Sequence, residues 1–185
     1  MKRIFIIHGY GADPDCNWFP YLKEELNKRG LAAQVPVMPN TEAPQCREWV
    51  ETLKGLVGRP DKGTILVGHS LGTAAILRYL ETLKDGESVG DVFLVAGADA
   101  NPGFPELDSF VAVPPDYEKM KKGAKSFTVI HSDDDPVVPF AMGQRLSKGL
   151  GAEFIPLSGL EHLNAGEGDF AFPLLLEGVL KAAKR

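Results

Sequence analysis

The stretch "TILVGHSLGTAAILRYL", residues 64–80, changes character in its middle. An apolar, β-branched run (64–67) leads into two glycines that flank Ser70, and a helical pattern of Leu71, Ala75, Ile76, Leu80 and Leu83 follows. The run is too short and too β-branched for a helix, and the residues after it repeat at helical spacing, so the chain passes from strand to helix through a tight turn. A serine at such a turn either caps the helix or is held up as a nucleophile. The two readings make different demands on the rest of the chain.

Five more short apolar runs bounded by Gly, Pro or Asp read as strands: 3–7, 33–38, 91–96, 126–131 and 152–157. Continuous apolar runs suit strands covered on both faces, while Pro36 inside the second run marks it as an edge strand. Helical stripes lie between them. Trp18, Leu22 and Leu26 form one, with Asn17 as N-cap and Gly30 as its stop; Cys46, Trp49, Val50, Leu53, Leu56 and Val57 form another. Met142, Leu146 and Leu150 form a shorter stripe, and Phe172, Leu175, Leu176, Val179 and Ala183 a last one. This alternation predicts a three-layer α/β/α sandwich around a mostly parallel six-stranded sheet, in one domain over 1–185. Residues 97–120, with Pro102, Pro105, Pro114 and Pro115, read as a long loop with at most a helical turn, placed to overhang a site.

Composition narrows the function. The 185 residues are 44% hydrophobic and 24% charged, with a net charge of −5, which disfavours a phosphate-backbone partner. Cys16 and Cys46 lack CxxC spacing and read as free thiols of a reducing compartment, with neither a metal nor a disulfide role. "IFII" near the N-terminus is shorter than the ~7–15 residues of a signal core, and no run approaches the ~20 apolar residues of a membrane span. A cytoplasmic protein is expected.

In parallel α/β sheets, ligands gather at the carboxyl ends of the strands. The segments there are "HGYG", "GHSLG", "GADAN", "SDDDPVVP" and "SGLEHLN". They supply a serine, carboxylates and a histidine in that chain order, the set required for nucleophilic acyl transfer. Ser70 is the candidate nucleophile, with Gly68 and Gly72 relieving crowding at the turn. His162, in a loop after the sixth strand, is the candidate base, and His131 the reserve. Of Asp133, Asp134 and Asp135, the last is preferred as the acid because it directly precedes Pro136; its neighbours read as solvated or turn-forming, and Asp99 is a further candidate. The backbone N–H groups of Tyr10 and Leu71 are the candidate oxyanion donors, although "HGYG" also reads as a plain tight turn. Trp18, Phe19 and Phe104 are candidates for an acyl pocket, although packing is the commoner role of such residues.

These residues resemble the α/β-hydrolases along nearly the whole chain. "HGYGADPDCNWFPYLKEEL" and "VGHSLGTAAILRYL" resemble more narrowly the small serine hydrolases grouped with retinoblastoma-binding protein nine. The resemblance implies a Ser70–Asp135–His162 triad and a six-stranded sheet without the two leading antiparallel strands or the cap domain of larger members. It implies hydrolysis of a small-molecule acyl substrate, a carboxylic ester first, with no cofactor. Amides, thioesters and peptides use the same triad, and a protein-interaction module on a hydrolase scaffold is the reading from another class.

Overall fold

Side chains alternate along the first strand and so divide the core in two. In the computed structural model, which describes residues 2–164 and 171–185, that strand is Arg3–Ile7 (β1). It sends Ile4 and Ile6 into one apolar cluster and Phe5 and Ile7 into the other, as a two-residue period requires. The further strands are Ala32–Gln34 (β2), Thr64–His69 (β3), Val89–Val95 (β4), Ala124–Ser132 (β5) and Glu153–Leu157 (β6). They pair in the order β2-β1-β3-β4-β5-β6, every pairing parallel. Strand order therefore reverses between β1 and β3, and the crevice at their carboxyl ends is where such sheets hold ligands.

Helices cover both faces. Phe19–Lys28 (α1) and Pro173–Ala183 (α7) bury Phe19, Leu22, Leu26, Leu175 and Val179 against the Ile4 side. On the Phe5 side lie Cys46–Val57 (α2), Leu71–Leu80 (α3), Asp108–Val111 (α4), Tyr117–Lys122 (α5) and Phe140–Leu150 (α6). The three-layer sandwich follows from apolar stripes that have no other surface to bury against. Among the described residues, no helix is long and apolar enough to cross a membrane.

Local differences from the sequence-based reading have physical causes. β2 is an edge strand, as Pro36 implies, but it ends at Gln34 rather than running to 38. Its outward backbone is occupied by Asn27, whose side chain donates to the Ala33 carbonyl (3.1 Å) and accepts from the Ala33 N–H (3.0 Å). That clamp blunts an edge that would otherwise offer pairing sites. Asn17 is not the cap of α1: it holds a positive φ of 55°, and Trp18 occupies the cap position without a side-chain hydrogen bond. Leu83 lies beyond the end of α3. The 97–120 stretch holds a 3-10 turn (Pro105–Leu107), α4 and the start of α5.

Candidate active site

β3 ends at His69 and α3 begins at Leu71, so Ser70 alone makes the corner, at φ 51° and ψ −120°. This is a backbone region that non-glycine residues occupy at a cost of about 1–3 kcal/mol. The corner is held by its own peptide groups: the Ser70 N–H donates to Val95 O (2.9 Å), and the Ser70 carbonyl accepts from the Thr73 N–H (3.0 Å) and hydroxyl (2.6 Å). The flanking glycines are there because the chain is too close for anything else. A Cβ on Gly72 would lie 2.2 Å from Ile7 O, and one on Gly68 2.8 Å from Thr73 N.

The Ser70 side chain makes no capping hydrogen bond. Its Oγ lies instead 3.0 Å from His162 Nε2, while His162 Nδ1 lies 2.8 Å from Asp135 Oδ2. A carboxylate only accepts, so Nδ1 carries the proton and Nε2 is left to accept from the serine hydroxyl. The other oxygen of Asp135 accepts the N–H groups of Val137 and Val138, both at 2.8 Å. Burial pushes the Asp135 carboxyl up, but the His162 N–H and the two amides outweigh it and hold it below its ordinary value.

The neighbouring carboxylates are exposed and serve the loop that carries His162. Asp133 accepts from the Ser158 hydroxyl (2.6 Å), and Asp134 accepts from Ser132 Oγ (2.5 Å) and the Glu161 N–H (3.0 Å). Two ring N–H groups fix that loop from the other side. His69 Nε2 donates to the His162 carbonyl (2.9 Å), and Trp18 Nε1 donates to the Leu163 carbonyl (3.0 Å). Glu161 and Leu163 both hold positive φ, at 47° and 52°, which such contacts must maintain.

The remaining candidates divide. His131 is buried and donates from Nε2 to Val138 O (2.9 Å), with Asp135 Oδ2 at 3.5 Å from the same nitrogen. Asp99 pairs with Arg145 at 2.7 and 2.8 Å. The Leu71 N–H opens α3, where no intrahelical carbonyl reaches it. The Tyr10 N–H has no acceptor among the described residues. His8 explains its direction. Its Nε2 accepts from the Met38 N–H (3.1 Å), so Nδ1 carries the proton and donates to the Gly9 carbonyl (3.0 Å). In a trans peptide the N–H points opposite to the carbonyl, so the Tyr10 N–H is aimed away from the His8 ring.

Ser70, His162, Tyr10 and Leu71 line one cavity, and Phe104 forms part of its wall. Trp18 and Phe19 do not. Both are fully buried in the core under α1, where they pack edge-on to the His69 ring, so their assignment to a pocket is corrected. Missing from the sequence reading were Thr73, Ala74, Ala98, Leu107, Val111 and Val138, whose cavity-facing positions carry no motif. Cys16 and Cys46 are free thiols. Among the described residues, no group of three or more His, Cys, Asp or Glu is placed to hold a metal ion.

A model of the serine hydrolase family matches residues 4–179. The chain belongs to the serine hydrolase family. Within it, the chain is 36% identical to the hydrolase YdeN of Bacillus subtilis (strain 168) over 177 residues, 95% of this chain and 93% of that one. It is 28% identical to serine hydrolase RBBP9 of Rattus norvegicus over 170 residues, 90% and 89% of the two chains. The crystal structure of the B. subtilis ydeN gene product superposes with a TM-score of 0.94 at 34% identity, covering 100% of both chains. Est1E from Butyrivibrio proteoclasticus, solved with ferulic acid, shares the α/β-hydrolase fold: TM-score 0.79 at 15% identity, over 100% of this chain and 90% of that one.

Proposed function

We propose that this serine hydrolase cleaves small carboxylic esters through a triad of Ser70, His162 and Asp135. The observation that carries the reading is the unbroken hydrogen-bonded line from a strained serine through His162 to a buried carboxylate, 3.0 and 2.8 Å in its two steps. His162 Nε2 takes the hydroxyl proton as Ser70 Oγ attacks the acyl carbon. The developing oxyanion sits between the N–H groups of Tyr10 and Leu71, each stabilising it by about 3–4 kcal/mol. His162 then protonates the departing alcohol, and a water deprotonated by the same nitrogen releases the acid and frees Ser70. Asp135 keeps Nδ1–H pointed at itself and stabilises the imidazolium formed at each step.

A serine-directed fluorophosphonate, with the adduct mapped by mass spectrometry, tests this. Labelling of Ser70 is expected, abolished in Ser70→Ala and much weaker in His162→Ala; an unlabelled native protein would overturn the reading. Asp135→Asn should lower kcat by about 10⁴-fold, because it leaves His162 in the wrong tautomer. Asp133→Asn should cost less than about tenfold, since that carboxylate is exposed and bonded to Ser158. The opposite ranking would reassign the acid. Matched ester, thioester and amide substrates, run in parallel, report whether esters are preferred.

A further inference from the structure

The cavity beside Ser70 encloses about 160 Å³. Among the described residues, no Lys, Arg, Asp or Glu lines it. Ser70, His162 and Tyr10 bring polar groups to it; the Thr73 hydroxyl is already committed to the Ser70 carbonyl. Leu71 and Ala74 of α3, with Phe104, Leu107 and Val111, supply apolar lining. Two arginines outside the cavity are engaged elsewhere: Arg145 with Asp99, and Arg78 with Glu81 and the carbonyls of Phe110 and Val113.

Behind this cavity lies a second, of about 20 Å³, reaching Leu77, Phe110, Met120 and Leu146. Ala74, Ala98 and Val111 line both, so these three residues are the partition between them. Two of the three are alanines, the smallest side chains that still close a wall.

On the reading of Ser70 as nucleophile, we infer that the site takes esters of uncharged, medium-length acids, and that Ala74, Ala98 and Val111 set the length. The cavity has room for a chain of several methylenes, and the partition bounds its length. Each buried methylene raises kcat/KM by up to about fourfold while the cavity still has room. An anionic acyl chain has no Lys or Arg partner among the described lining residues and is excluded by the loss of its hydration.

The test is kcat/KM on p-nitrophenyl acetate, butyrate, hexanoate, octanoate and dodecanoate, with the hemisuccinate as the charged analogue. Activity should rise by about tenfold or more from acetate to hexanoate, fall by dodecanoate, and be at least about tenfold lower for hemisuccinate than for butyrate. In Ala74→Leu, which fills the partition, the hexanoate-to-acetate ratio should drop about tenfold. In Val111→Ala, which opens the second cavity, the optimum should move to octanoate or beyond. A flat length profile, or hemisuccinate cleaved as fast as butyrate, overturns the inference. Fluorophosphonate labelling of Ser70 in each variant separates the outcomes: intact labelling with a flat profile removes the acyl pocket, whereas native protein that fails to label removes the nucleophile on which it rests.

Discussion

Ser70 pays for its position in backbone strain, and that strain is measurable. The peptide bonds on either side are fixed by Val95 and Thr73, so the corner stays at φ 51° whatever side chain it carries. Glycine accepts this conformation freely, whereas alanine keeps the strain. Ser70→Gly is therefore expected to be inactive yet more stable than Ser70→Ala by about 1 kcal/mol in urea unfolding, after the greater freedom of glycine in the unfolded chain is counted. Equal or lower stability of the glycine variant would contradict the strain. The G-x-S-x-G pattern made this residue legible in the sequence. The choice among Asp133, Asp134 and Asp135 was legible only as a preference, from Pro136. What separates them physically is where the loop after β6 passes: it leaves Asp133 and Asp134 at the surface holding Ser158 and Glu161, and it places His162 over Asp135.

The loop from 158 to 164 owes its shape to elements far away in the chain. His69 reaches it from the end of β3 and Trp18 from the cap position of α1, each donating to a backbone carbonyl. His69→Gln retains an N–H in about the same place, while His69→Leu leaves the His162 carbonyl without its donor. The leucine variant should lose about 10- to 100-fold in kcat with KM little changed, and the glutamine variant should recover most of it. Equal activity of the two would show that the contact does not position the base. Trp18 and Phe19 take the packing role that is the commoner one for such residues: Trp18, Leu22 and Leu26 form a stripe, and that stripe faces the sheet. Long elements with a clear period were legible. The short helices inside 97–120 were not, because four to six residues hold too few turns for a period to emerge.

All four histidines are buried at the carboxyl end of the sheet, and this ties the stability of the fold to pH. Burial lowers the pKa of His8 and His131, and it pushes His69 down to about 3 with the nearby His162 adding to the effect. Below the ordinary histidine value near 6.5, the unfolded chain binds protons that these buried rings refuse, so stability falls as pH falls. Asp135 acts in the same direction lower down: its depressed pKa contributes stability above the usual carboxylate range that is lost as pH drops through the depressed value. Urea midpoints should therefore begin to decline near pH 6, with His69 alone contributing roughly 4–5 kcal/mol of loss by pH 3. A midpoint constant from pH 7 to 4.5 would contradict buried neutral histidines. The neutral rings donate their N–H groups to the carbonyls of Gly9, His162 and Val138. The reaction proposed for Ser70, His162 and Asp135 is tested most directly by quenching the enzyme in acid during turnover of p-nitrophenyl hexanoate and mapping the acylated peptide by mass spectrometry. The expected result is a hexanoyl group on Ser70, absent from Ser70→Ala. Turnover undiminished in Ser70→Ala, or acylation at another residue, would contradict it.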